Sequence, residues 1–212
     1  AEVIGTLEEE FGISDKDVLA SEQFGPSVGD ELKLNAVKSV LIASVGMLIY
    51  IIFRFKSWKY GFSAIVGVVH DVLVVIAFYG IFGFTVNNPF IAAILTLVGY
   101  SINDTIVIFD RIRENKRLYK KDGSEVNIDR SINSTLNRTI MTSLTTLVVM
   151  IPLCIMVSSS IREFIIPLMI GVIVGCYSSI FICSPVYYDL CKGSEESKYV
   201  KQIKSKNKKS NK

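Results

Sequence analysis

Five apolar stretches, interrupted by short and intensely charged ones, restrict this chain more than anything else in its sequence. They lie at about 36–54, 61–83, 89–110, 136–156 and 163–187, each near the roughly 20 residues that cross a bilayer core. In lipid every backbone N–H and C=O must be satisfied within the segment or by a closed barrel, so stretches of this length and hydropathy predict helices. Half of the 212 residues are apolar, as expected of an integral membrane protein with an all-α, five-span bundle.

The positions of the charges predict the topology. Arg54, Lys56 and Lys59, then Arg111 to Arg138, then the tail from Lys192 hold nineteen of the 23 Lys and Arg residues. Lys16, Lys33, Lys38 and Arg162 fall on the other side. By the positive-inside rule the three basic segments are cytoplasmic and the N-terminus lies outside. Trp58 and Tyr60 beside the first basic group read as an interface anchor. The chain starts at Ala1 with no signal core. An odd number of spans behind an external N-terminus predicts at least one preceding span in the whole protein.

The bundle occupies 36–190, with a cytoplasmic connection over 111–135 and a basic tail over 191–212. Residues 1–35 are polar and mixed. Val3, Ile4, Leu7 and Phe11 space as an amphipathic helix, and Val18 and Leu19 read as the start of a short strand. Together they suggest the last pieces of a soluble α+β domain outside the membrane. Gly25–Gly29 reads as a break in regular structure, with Asp30 as cap of the helix that follows. Val126, Ile128, Ile132 and Leu136 predict a short surface helix feeding the fourth span. The tail has too little apolar content to fold alone, and its lysines suit anionic lipid.

The third span carries the chemistry. Asn103 and Asp104 sit side by side in it, where a carboxylate costs about 2.5–3.5 kcal/mol on insertion scales. From the 1.5 Å rise per residue, Asp104 lies about 9 Å from the charged end at Asp110. Its polar residues share half the circumference, the pattern of a helix that turns that side to protein. The second span contributes His70 and Asp71. The fourth contributes Arg138, Thr142, Thr145 and Thr146 on one face. The fifth has Gly171 and Gly175 in a GxxxG pair that permits close helix packing. Two readings of Asp104 with Arg138, joined by Asp71, remain open. One is a proton relay, because a guanidinium favours the ionised acid while desolvation opposes it. The other is a static ion pair glued by hydroxyls. His70 reads as a helix-contact residue.

Cysteines 154, 176, 183 and 191 lack metal-ligand spacing and read as packing residues, so neither metal nor cofactor is expected. Asp71 and Asp104 on neighbouring spans lack the Gly-x-Gly-Asp backbone of an intramembrane aspartyl protease. Walker, GxSxG and HExxH motifs are also absent. The sequence predicts no covalent chemistry and no nucleic-acid partner.

Gly-Tyr-Ser-Ile-Asn-Asp-Thr over 99–105, continuing to Arg117, resembles the SecF family of protein-export membrane subunits. So do Gly25–Gly29, His70-Asp71, and Leu136-Asn137-Arg138-Thr139 followed by Thr145-Thr146-Leu147. The family belongs to the resistance-nodulation-division superfamily, and the likeness extends to about Tyr188. It implies six spans and a ferredoxin-like external domain, of which this chain would hold the last piece of that domain and spans two to six. It further implies a plasma-membrane subunit that works with a SecD-like partner and the Sec translocon channel. There it would use the proton-motive force to move unfolded preprotein. In that family the acid and arginine that fall on Asp104 and Arg138 are implicated in proton passage; Asn103, Thr142 and Asp71 are the candidate companions. A small-molecule or lipid exporter of the same superfamily and a non-conducting translocon scaffold are the competing expectations.

Overall fold

A computed structural model describes residues 26–119 and 122–192. The chain divides into two compact units, Ala1–Asn35 and Ala36–Lys212. The expected amphipathic helix, strand and ferredoxin-like remnant, and the tail after Ser194, lie outside the described residues. Of the first unit only 26–35 is described, and it is helical.

Helix α1 spans Pro26–Phe55, α2 Trp58–Phe82, α3 Asn88–Leu118, α4 Ser124–Met156 and α5 Ser159–Ser178. A π-helical turn, Ser179–Cys183, follows α5, and residues 184–192 are again helical. Five stretches of these helices are long and apolar enough to cross a membrane: Val37–Phe55, Trp58–Phe82, Asn88–Leu118, Ser124–Met156 and Ile161–Lys192. The protein is a multi-pass membrane protein.

Three expectations need correction. Asp30 does not cap a helix, because α1 already begins at Pro26. Proline suits a first helical position, where its missing N–H has no partner to lose. The surface helix expected around Val126–Leu136 is no separate element but the opening turns of α4. Finally, α3 does not stop at the charge burst but runs on to Leu118, since Arg, Glu and Lys are good helix formers in water.

Local signals account for the ends. Gly83 closes α2 in the left-handed conformation (φ 68°), its N–H bonded to the Tyr79 carbonyl, as a C-terminal glycine does without a Cβ penalty. Asn87 caps α3 by accepting the Phe90 N–H at 3.1 Å. Arg162 donates to the Cys154 carbonyl at 3.0 Å, satisfying a free acceptor at the end of α4.

The core centres on α3, which packs most extensively against α5 and also against α2 and α4. Helix α1, by contrast, exposes Val37, Leu41, Ile42, Val45, Ile49 and Phe53, a surface suited to lipid. One apolar cluster gathers Phe55, Tyr60, Phe109, Ile112 and Tyr187. A second gathers Val75, Tyr79, Phe90, Leu97 and Leu168. In the first, Tyr60 stacks on Tyr187 with centroids 4.3 Å apart, and Lys116 sits over the Tyr187 ring at 5.0 Å. Three buried polar residues of α3, Ser101, Asp104 and Thr105, fall along the helix between Leu97 of the second cluster and Ile108 of the first, and a fourth, Asn115, lies beyond them and donates to Ser131 of α4.

Candidate functional site: two buried carboxylates on neighbouring helices

Asp71 projects from α2 and is 1% exposed. Its Oδ2 accepts hydrogen bonds from Ser101 of α3 at 2.5 Å and Ser178 at the end of α5 at 2.9 Å. The His70 Nδ1 lies 3.0 Å from its Oδ1. A carboxylate taken from water needs such donors, and here they come from three helices. Two close approaches bring them into register. A Cβ on Gly175 would meet the Ser101 Cβ at 3.3 Å, and one on Gly171 would overlap the Leu97 side chain. Ser178 sits one turn beyond Gly175, so the crossing that these glycines allow aims its hydroxyl at Asp71.

Asp104, one turn from Ser101 on α3, is 4% exposed but lives differently. Among the described residues its carboxylate has no hydrogen-bond partner, and no direct ion pair joins it to Arg138. The guanidinium is nonetheless close enough to act on the carboxylate electrostatically. Cys176 of α5 also lies within the field of Asp104, and it faces Ser143 of α4. The Asp104 seam therefore lies among α3, α4 and α5. The Asp71 network lies among α2, α3 and α5.

The expected residues thus separate into two places. Among the described residues Asp71 makes no hydrogen bond or ion pair with Asp104 or Arg138; its oxygens are engaged by Ser101, Ser178 and His70. Thr142 is half-buried on α4 and donates to the Arg138 carbonyl at 2.8 Å. Tyr100 bridges α3 to α4, its hydroxyl 2.8 Å from the Thr146 Oγ1. The polar side of α3 does not all turn inward. Thr96, Gly99 and Asn103 are exposed, as are Asn137, Arg138 and Thr145 of α4. The reason is angular. Two adjacent stripes share the polar half of α3, and α5 and α2 cover only the one containing Ser101 and Asp104.

Sequence reasoning missed the bonds of Ser101 and Ser178 to Asp71 and the buried, unbonded hydroxyls of Thr139 and Ser143. Ser101 and Ser178 could have been suspected from their one-turn offsets from Asp104 and Gly175. Thr139 and Ser143 carried no signal beyond spacing, since a threonine or serine in a helix ordinarily bonds its own backbone.

Comparison with known proteins agrees with this architecture. The family model for "Protein export membrane protein SecD/SecF, C-terminal" matches residues 4–193. A protein translocase subunit SecF of Sebaldella termitidis is 47% identical over 174 residues, 81% of this chain and 56% of that protein. A SecF of Helicobacter pylori is 41% identical over 199 residues, 92% of this chain and 61% of that protein. A fused SecDF of Thermus thermophilus is 47% identical over 167 residues, 79% of this chain but 23% of its own length. The chain thus spans little more than half of these SecF relatives. A crystal structure of SecDF in a super-membrane-facing form superposes with a TM-score of 0.78 at 38% identity. The match covers 94% of this chain and 27% of that one. Sequence motifs, helix arrangement and these matches converge: the chain belongs to the SecD/SecF family of protein-export membrane proteins.

Proposed function

We propose that this chain is the membrane-embedded, proton-responsive half of a Sec protein-export subunit. With a SecD-like partner beside the translocon channel, it uses the proton-motive force to assist preprotein translocation and release on the outer side of the plasma membrane. Its N-terminal unit lies outside and its basic tail in the cytoplasm, following the bias of Lys and Arg.

The observation that carries the reading is Asp104: buried, without a hydrogen-bond donor among the described residues, and within the field of Arg138 but not clamped by it. A carboxylate in a tight ion pair stays ionised, whereas one lacking donors is free to exchange a proton when its surroundings shift. Asn103 and Thr142 flank this acid and arginine and are the companions expected to shape the path. Each charge that crosses the membrane potential supplies about 2.3 kcal/mol per 100 mV, so a few protons suffice to bias a rocking motion between helical bundles.

The exposed polar stripe of Thr96, Asn103 and Arg138 supports the partner assignment. Arginine and asparagine facing hydrocarbon are costly, so this face suits a second helical bundle rather than lipid. Fused relatives named SecDF carry both halves in one chain.

The test is Asp104→Asn in the full-length subunit, with its partner, in inverted membrane vesicles. Proton-dependent export should fall to the level seen without a gradient while the protein accumulates normally. Export that keeps its full proton dependence would sink the relay and leave the scaffold role. Arg138→Lys probes the same site more finely, since an ammonium does not reproduce the planar fork of a guanidinium.

A further inference from the structure

Helix α4 is rich in hydroxyls, and most of them bond to their own helix. Ser131 donates to the Asn127 carbonyl at 2.6 Å, Ser134 to Ser131 at 2.9 Å and Thr135 to Ser131 at 2.9 Å. Thr142 donates to Arg138 at 2.8 Å, Thr145 to Met141 at 2.9 Å and Thr146 to Thr142 at 2.9 Å. Thr139 and Ser143 break the pattern. They are 1% and 5% exposed, and the Oγ of each has no hydrogen-bond partner among the described residues.

Four residues apart, these two hydroxyls share a face. The Ser143 hydroxyl faces the Cys176 thiol, and Cys176 in turn lies in the field of Asp104. So the unpartnered hydroxyls of α4 and the donorless carboxylate of α3 belong to one seam. Buried polar groups of native proteins nearly always find a partner. When protein supplies none, ordered water does, needing two to four polar groups around it.

We propose that Thr139 and Ser143 are positioning residues that hold water against Asp104, making the seam among α3, α4 and α5 the hydrated part of the bundle. This rests on the reading of Asp104 as the proton-exchanging group and adds the route by which a proton reaches it. The hydroxyls neither gain nor lose charge. Each can accept a hydrogen bond from one water and donate to the next, so a proton can pass along the row while each oxygen ends with two bonds to hydrogen or carbon. The Asp71 network, its oxygens already met by Ser101, Ser178 and His70, has no need of such water and stays dry.

The experiment uses the full-length subunit with its partner. Thr139→Val is nearly isosteric and removes only the hydroxyl; Ser143→Ala does the same at the second position. Combined, they should lower proton-dependent export roughly tenfold or more. The thermal midpoint should stay unchanged or rise, since no protein partner is lost. Thr139→Ser, which restores a hydroxyl, should restore export. The infrared carboxyl band that vanishes in Asp104→Asn should shift rapidly on transfer to D2O in the parent and sluggishly in the double variant. A lowered midpoint in Thr139→Val would reveal a structural hydroxyl and overturn the proposal. So would export and D2O response unchanged in the double variant while Asp104→Asn abolishes the proton effect; in that case the relay reading survives. If Asp104→Asn itself leaves export untouched, the relay reading is what fails, and the D2O response alone then decides hydration.

Discussion

Asp71 and Asp104 are the same side chain on neighbouring helices, both nearly inaccessible, yet their surroundings are opposite. Asp71 is met by hydroxyls from two other helices and a histidine from its own. Asp104 has no hydrogen-bond partner among the described residues, and a guanidinium that acts on it without an ion pair. A fully satisfied buried carboxylate rigidifies what surrounds it, and a half-satisfied one leaves room for something to change. The comparison teaches that burial of an acid in a membrane bundle does not by itself mark a functional group. The donors around it separate a lock from a switch.

The largest expected effect breaks the lock. Asp71→Ala removes the shared acceptor and leaves two buried hydroxyls without it. Loss of the hub of such a network should destabilise the bundle by about 3–5 kcal/mol, read as a shift in unfolding by denaturing detergent. Asp104→Asn should move the same transition by less than about 1 kcal/mol, because no protein donor loses a partner there. If the two variants destabilise equally, the distinction between the sites collapses.

A second prediction concerns the packing that holds the Asp71 network together. A Cβ on Gly67 would overlap the Cys183 sulfur, and Cys183 closes the π-helical turn just past Ser178. Thr105 of α3 also points at that sulfur, at 3.6 Å. Gly67→Ala should therefore cost about 1–3 kcal/mol by overpacking. Adding Cys183→Ala should return most of it, since the second change vacates the volume that the first one needs. Failure of that rescue would mean that the α2–α5 approach is set by contacts other than Gly67 against Cys183.

Smaller still is the loss of a single donor. Ser178→Ala keeps Ser101 and His70 on Asp71 and should cost about 1–2 kcal/mol. That is above the average intramembrane hydrogen bond because the acceptor is a carboxylate. The equivalent truncation at Ser143 should cost nothing in stability. This pair gives the sharpest form of the comparison: two buried serines, one with an acid to bond and one without.

Much of this was legible before the structure. Length and hydropathy marked the five spans because lipid imposes both requirements on any helix that crosses it. That Arg138 acts on Asp104 was to be expected of consecutive spans joined by a short charged connection. The partners of Asp71 were not legible, because helical periodicity tells which residues share a face but not at what height two helices meet. That height depends on where Gly171 and Gly175 allow α5 to approach Leu97 and Ser101. The end of α3 was misplaced for a related reason: hydropathy reports where lipid ends, and Arg111–Leu118 continues as a helix in water. Nor could spacing tell which hydroxyls of α4 bond their own backbone and which are left over.

Six residues beyond Asp104 on the same helix, Asp110 offers the mildest contrast. It pairs with Arg54 of α1 at 2.9 Å, and the two side chains are 40% and 42% exposed. Arg113 adds a bond to the Arg54 carbonyl at 3.2 Å. An exposed pair gains little Coulomb energy, loses side-chain entropy and is screened by salt, so Asp110→Asn should cost about 0–1 kcal/mol. Proton-dependent export should be unaffected, because water at this end of the helix supplies what the carboxylate gives up. A strong export defect in Asp110→Asn with normal stability would place the proton entry at the helix end, making Asp110 the mouth of the Asp104 seam rather than an anchor.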